Sequence, residues 1–170
     1  MEALFLIGMP FSGKTTLRQK LVRKNPRYVV LSTDDTIEQW AKEFDVPYPA
    51  IVNSCFTAAD TLYYEQAEDA IAAGQNIIVD RTNWRAIGRE QILKRLPETG
   101  YRRIAIVFDT PEDVLEQRRL HSPKQIPTEI LEGMRTGFEP PTPEEFDEIR
   151  VISFRPKARG SAVPKGAKLG

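Results

Sequence analysis

The stretch Ala3-Leu4-Phe5-Leu6-Ile7-Gly8-Met9-Pro10-Phe11-Ser12-Gly13-Lys14-Thr15 opens with five consecutive apolar residues and closes on the spacing G-x-x-x-x-G-K-[ST]. An apolar run without alternation is the pattern of a strand buried on both faces. The octet Gly8 to Thr15 then meets a stringent chemical demand. A triphosphate tail needs several backbone N–H groups converging on its oxygens, and a tight, glycine-punctuated loop presents them. In such a loop Gly8, Ser12 and Gly13 shape the cradle. Lys14 reaches the β- and γ-phosphates, and the Thr15 hydroxyl sits on Mg²⁺. Residues 15–24 follow as a polar-surfaced helix with Leu17, Leu21 and Val22 on one side. Strand, loop and helix fall in the required order, so the helix N-terminus adds its dipole to phosphate binding.

Outward from this octet, apolar β-rich runs recur at Tyr28–Leu31, Ile77–Val79, Ile104–Phe108 and Val151–Phe154. Between them the pattern predicts helices over Thr57–Ala73, stopped by Gly74, and over Ala86–Leu96, stopped by Pro97. Another runs over Pro111–Leu120, opened by Thr110-Pro111-Glu112-Asp113, and another from Pro127-Thr128-Glu129 to about Gly133-Met134. Strands alternating with helices predict an α/β P-loop NTPase fold: a central parallel sheet of about five strands, helices on both faces, and a small lid. The expected domain spans residues 1–154, with the lid around 118–127. From Arg155 onward the chain holds Arg155, Lys157, Arg159, Lys165 and Lys168 and no acidic residue, which predicts a disordered basic tail over 155–170.

The 170 residues suit one domain with a proper core. With 24 basic and 24 acidic residues the formal net charge is zero, so no global field draws the chain to nucleic acid or membrane. Any nucleic-acid attraction must come from a local patch. Cys55 is the single cysteine, which excludes an internal disulfide and supports no zinc cluster. No apolar stretch approaches membrane-spanning length, and a reducing cytoplasm is the expected location. A guanine-reading N-K-x-D sequence is absent.

In parallel sheets ligands bind beyond the carboxyl ends of the strands, so the residues after each strand are the candidates. Ser32-Thr33-Asp34-Asp35 follows the second strand. A carboxylate there lies across a crevice from the phosphate loop and suits the proton of an attacking hydroxyl; it equally suits a helix N-cap before a helix at Thr36. We read Asp34 as the base and Asp35 as its alternate. Asp80-Arg81-Thr82-Asn83 follows the third strand, where Asp80 suits Mg²⁺ or its waters, Arg81 a phosphate and Asn83 a substrate, with capping as the alternative role. After the fourth strand Asp109 reads as a cap for the helix at Pro111. The adjacent Arg118 and Arg119 before Pro123 read as lid arginines, or else as a charged helix end. Adjacent helical residues diverge, so one of the two faces the site. His121 beside them carries no assigned role. The aromatics of the segment Trp40–Phe56, including Val46-Pro47-Tyr48-Pro49, either stack a base or belong to the core.

The phosphate loop, Asp34-Asp35, Ile78-Val79-Asp80-Arg81-Thr82-Asn83, and Gln125-Ile126-Pro127-Thr128-Glu129-Ile130-Leu131 after a basic segment recur in this order in a known family. Over about residues 2–155 the chain resembles the kinase domain of phage-type polynucleotide 5′-kinases, P-loop enzymes of the adenylate-kinase-like group. The resemblance implies that Asp34 activates the acceptor hydroxyl and that Lys14, Thr15 and Thr16 handle the phosphates and Mg²⁺. It also implies that Asp80 and Asn83 lie in the acceptor crevice and that Arg118 closes on the donor. Two positions depart from the pattern. Ile37 stands where the family has an arginine for an acceptor phosphate. Where a second lid arginine is expected, the chain has His121 and Ser122, with Arg119 earlier.

The expected function is therefore an ATP- and Mg²⁺-dependent phosphotransferase acting on a hydroxyl of a nucleic-acid or nucleotide-like acceptor. The acceptor stays open among a polynucleotide 5′-hydroxyl, a modified base in DNA, a nucleoside and another small hydroxyl compound. Two other classes stand beside it: a P-loop ATPase or switch without acceptor, and a nucleic-acid-binding module of weakened catalysis.

Overall fold

In the computed structural model, which describes residues 1–122, 124 and 126–154, the sheet is all-parallel. Its centre is β1 (Glu2–Ile7), whose register sets Ala3 opposite Ile77 of β3 (Asn76–Asp80) and opposite Arg103 of β4 (Arg102–Asp109). The edges are β2 (Tyr28–Leu31) and β5 (Glu148–Ser153), giving the order β2-β3-β1-β4-β5. Because successive side chains alternate, the uninterrupted apolar run feeds two cores. Ala3, Phe5 and Ile7 enter one, with Tyr63, Ala67, Ile92 and Phe146; Leu4 and Leu6 enter the other, with Ile78, Ile104 and Ile106. Each fully buried Ile, Leu or Phe contributes about 1.5–3 kcal/mol of transfer free energy. Phe5 meets Phe146 edge-on, ring centroids 5.1 Å apart.

Among the described residues six helices surround the sheet: α1 (Lys14–Lys24), α2 (Thr33–Glu43), α3 (Tyr48–Ala72), α4 (Ala86–Leu93), α5 (Glu112–Leu120) and α6 (Thr128–Thr136). Leu17, Leu21 and Val22 of α1 close the Leu4/Leu6 core, as their spacing predicts. Tyr63, Ala67 and Ala70 of α3 and Ile92 of α4 close the Phe5 core. Among the described residues, α5 and α6 bury no side chain fully, and no helix is long and apolar enough to cross a membrane. The expected basic tail lies outside the described residues, as do Pro123 and Gln125 of the expected lid.

Three local expectations change. First, α2 starts at Thr33 rather than Thr36, and its cap is Ser32, whose Oγ accepts from Asp35 N at 3.2 Å; the two aspartates occupy the first turn. Second, α3 starts at Tyr48 rather than Thr57. Pro49 is favourable in a first turn, where its missing N–H costs nothing. The segment Trp40–Phe56 is thus the end of one helix and the start of the next. Third, Asp109 caps nothing. Pro111 is the N-cap of α5 and its carbonyl accepts from Leu115 N at 3.0 Å, while the Asp109 carboxylate lies 3.5 Å from Ser153 Oγ.

The largest fully buried side chain is Arg89 of α4, which the sequence pattern did not single out. Its guanidinium pairs with Glu145 at 2.8 and 2.9 Å and donates to the carbonyls of Asn83 at 3.0 Å, Glu139 at 2.8 Å and Pro140 at 3.3 Å. This fastens the proline-rich connection 139–143 across α4. Arg89→Met should cost about 3–5 kcal/mol, because Glu145 and three carbonyls lose their donor together. Urea unfolding at neutral pH measures it, and a loss under about 1 kcal/mol would refute the assignment.

Candidate active site

The carboxyl ends of β1, β2, β3 and β4 open into a crevice of about 1240 Å³. The phosphate loop forms its floor. At Gly8 a Cβ would stand 3.0 Å from Phe108 Cβ and 3.1 Å from Ser12 Oγ, so a side chain at the strand exit would crowd both neighbours. Gly13 has φ 107° and is the N-cap of α1, with no side chain capping the helix. Phe11 also adopts a left-handed φ, 67°, a strain of order 1 kcal/mol in a bulky residue. Thr110 Oγ1 donates to Ser12 O at 3.1 Å and Gly8 N to Thr82 O at 3.1 Å, tying the loop to the ends of β4 and β3.

The loop fits an anionic ligand on two observations. Ser12 Oγ is buried without a hydrogen-bond partner among the described residues, and the uncapped N-terminus of α1 faces the same space. Lys14 Nζ donates to Gly8 O at 2.9 Å and Met9 O at 2.7 Å, with no carboxylate in contact. Burial lowers its pKa to about 8, against the opposing pull of Asp80 and then Asp34. Thr15 and Thr16 line the crevice at the start of α1. No group of three or more His, Cys, Asp or Glu among the described residues forms a metal cage. A hydroxyl at Thr15 and a carboxylate at Asp80 are nonetheless the sparse oxygen set that Mg²⁺ accepts when phosphates complete it.

The opposite wall carries the aspartates. Asp34 Oδ1 accepts from Tyr48 OH at 2.9 Å and Oδ2 from Lys124 Nζ at 3.1 Å; Lys124 also pairs with Glu38 at 2.6 Å. Burial raises the Tyr48 phenol, and the Asp34 charge and hydrogen bond add to that. Asp80 sits at the end of β3 with its side chain 9% exposed. Burial raises its carboxyl above the usual range, against Arg18 and Lys14, while Asp35 and Asp34 push the same way as burial. Arg18 Nη1 reaches both Asp35 Oδ2, at 2.5 Å, and Asp80 Oδ2, at 2.9 Å.

Most of the expected residues meet here; two do not. Arg118 lines the crevice, its Nη1 donating to Phe11 O at 2.9 Å and its guanidinium lying over the Phe154 ring. Arg119 turns to the other side of α5, held by Glu116 at 2.6 and 2.7 Å, because adjacent helical residues diverge. Asn83 lies beneath the crevice, buried at φ 49°, and its amide nitrogen donates to the carbonyls of Leu6, Val79 and Arg81. It holds strand ends together and offers that nitrogen to no ligand. Arg81 lines the crevice but pairs with Asp60 at 2.8 Å and lies 4.8 Å from the Tyr63 ring centroid. Ile37, at the position of the family arginine, is fully buried. Of the aromatics in 40–56, Tyr48 and Phe56 line the crevice, joined by Trp84. His121 Nδ1 donates to Gln117 O, 2.7 Å away, as the last turn of α5 closes. Arg18 and Lys124 were missed. Arg18 had a signal, four residues after Lys14 on the same helix face; Lys124, 90 residues from Asp34, had none.

This sheet, loop and crevice are those of a P-loop kinase fold. A family model described as AAA domain matches residues 4–141, and the chain belongs to that family. A protein of Acanthamoeba polyphaga mimivirus named as a bifunctional polynucleotide phosphatase/kinase is 26% identical over 162 residues, covering 90% of this chain and 33% of that protein. Human heterogeneous nuclear ribonucleoprotein U-like protein 2 is 26% identical over 171 residues, covering 96% of this chain and 22% of the relative. The chain thus spans a third or less of these two relatives. Among solved structures, a Chloroflexus aurantiacus protein assigned as a kinase superposes with TM-score 0.69 at 22% identity, covering 89% of this chain and 84% of the other. A fungal RNA kinase superposes with TM-score 0.60 at 18% identity, covering 94% and 77%. At these identities the structural likeness is one of fold.

Lys14 makes triphosphate binding pH-dependent. In the free protein it loses its proton as pH rises through about 8. Phosphate oxygens favour the charged form, so the bound value is higher and binding above that pH takes up a proton. Affinity should fall by up to about tenfold per pH unit above the free value. Calorimetric titration in buffers of different ionisation enthalpy measures both the fall and the proton; an affinity flat through that range would refute it.

Proposed function

We propose that the protein is an ATP-dependent kinase that transfers the γ-phosphoryl group to a hydroxyl of a nucleic-acid or nucleotide-like acceptor, in a cytoplasmic setting. The observation that carries this reading is the convergence of Lys14, Asp80 and Asp34 from three elements on one crevice, close enough that both carboxylates act on the lysine. The named activities of the mimivirus relative and the fungal RNA kinase point the same way.

In this reading Gly8, Ser12, Gly13, Thr15 and Thr16 cradle the phosphates, and Lys14 neutralises them. Thr15 and Asp80 are the oxygen ligands offered to Mg²⁺, which when bound draws charge off the phosphate oxygens. Asp34 accepts the proton of the attacking hydroxyl, and Asp35 and Arg81 shape the acceptor side. Arg118 projects from the lid over the phosphate loop and stabilises charge on the transferring group. The lid is the stretch around 118–127. Arg119, facing Glu116, has no part in this arrangement.

A second reading, a nucleoside or other small-molecule kinase, is favoured by one observation. Ile37 is buried where an acceptor-phosphate arginine is implied, so α2 offers no guanidinium at that position. Labelled ATP with 5′-hydroxyl DNA, 5′-hydroxyl RNA, hydroxymethylated-base DNA and free nucleosides separates the two. ATP hydrolysis indifferent to every acceptor would sink both in favour of an ATPase.

On the acceptor that works, Asp34→Asn should lower kcat by about 10²–10⁴-fold. Arg118→Ala should lower it by about 10²-fold or more, and Arg119→Ala by less than about threefold. Equal losses for the two arginine variants would remove Arg118 from its proposed place.

A further inference from the structure

Arg18 is a crevice cation that the phosphate-loop pattern does not explain. It stands one turn after Lys14, so α1 sends both side chains from the same face. A single nitrogen, Nη1, holds carboxylates from two other elements: Asp35 in the first turn of α2 and Asp80 at the end of β3. The Arg18 side chain is 13% exposed and that of Asp80 9%, so this is a largely desolvated bridge rather than a surface pair. Asp35 is more open, at 48%.

The consequence falls on Asp34. Asp34 and Asp35 are consecutive in a helix, so their side chains leave the axis about 100° apart. Holding Asp35 against α1 and β3 fixes the rotation of α2 about its own axis. That rotation decides where Asp34 points, here to Tyr48 and Lys124 on the crevice wall. The buried residues of α2, Thr33, Ile37 and Ala41, lie on the helix face opposite Asp35, so the bridge holds the helix from the side its core contacts leave open. A lysine at position 18 would be a point charge on a flexible stem, whereas a planar guanidinium fixes direction as well as distance.

We propose that Arg18 is a positioning residue for phosphoryl transfer, setting the place of Asp34 relative to the phosphate loop by holding Asp35 and Asp80 together. The inference rests on the kinase reading above. It acts through geometry, so its loss belongs in kcat; a residue binding the donor or an acceptor phosphate would show its loss in KM.

The test uses Arg18→Gln, Asp35→Asn and the double variant in the full chain. On the acceptor that works for the wild type, Arg18→Gln should lower kcat by about 10–100-fold, with KM for ATP and acceptor within about twofold. The kcat of the double variant should be no lower than that of Arg18→Gln, since both changes release the same tether, while the acceptor-side place of Asp35 is read separately in KM. Hydrogen exchange of the first turn of α2 should quicken by at least about fivefold in Arg18→Gln, with α3 unchanged. For Arg18→Gln a loss confined to KM or an unchanged kcat, or for the double variant additive losses in kcat, overturn the proposal. If the wild type phosphorylates no acceptor, the kinase reading fails by itself. Exchange in α2 still decides the tether then, and unaltered exchange in Arg18→Gln overturns it.

Discussion

Arg89 carries a full positive charge into the most shielded part of the molecule, where an unpaired ion would be intolerable. It donates five hydrogen bonds: two to the Glu145 carboxylate and one to each of the carbonyls of Asn83, Glu139 and Pro140. The Asn83 carbonyl is the important one. The same residue's amide holds the carbonyls of Leu6 and Val79, each one residue short of the end of its strand, β1 and β3. The clasp therefore runs from α4 through Asn83 to both central strands, and through Glu145 and the neighbouring Phe146 to the Phe5 core. The phosphate loop and Asp80 leave the sheet at those two strand ends, so their relative placement is inherited from it.

Above the clasp, the crevice is organised by charge in a way that burial alone would oppose. Lys14 is held by carbonyls of its own loop and gives up part of its affinity for a proton. Asp80 is forced in the opposite sense, and Arg18 is what keeps it tolerable. Each group is unfavourable alone and acceptable in the set. Such a set is poised for a polyanion that supplies charge from outside, consistent with the unpartnered Ser12 hydroxyl at the base of the loop.

The fold was legible because its decisive features are local in sequence. The apolar run, the octet and the spacing of Leu17, Leu21 and Val22 each lie within a few residues, and all survive in the structure. Helix starts were less legible. Ser32 took the cap that the aspartates also suited, and the first turns of α3 lie in the aromatic segment before Thr57. Strand-end reasoning pointed to Asp34 and Asp80, which line one crevice, and to Asn83, which lies buried beneath it. Its positive φ and its three carbonyl partners, up to 77 residues away in sequence, leave no trace in local pattern. The choice between Arg118 and Arg119 needed the helix phase, which a sequence sets only once the helix start is known. Lys124 and Arg89 illustrate the remaining gap: isolated basic residues acquire meaning only from partners on distant elements.

The position of β1 has a consequence for how the protein is made. Of the five strands of this sheet, the one synthesised first is its middle, and both its neighbours lie some 70 to 100 residues downstream in the register Ala3 to Ile77 and Glu2 to Arg102. At about 5–20 residues per second of synthesis, Leu4-Phe5-Leu6-Ile7 waits for seconds without a pairing partner. The chain is committed to non-local closure, a slow folding regime in which unpaired apolar strand is a target for chaperones. Because Gly8 is tied to Thr82, the phosphate cradle cannot close in the nascent chain before that residue has emerged.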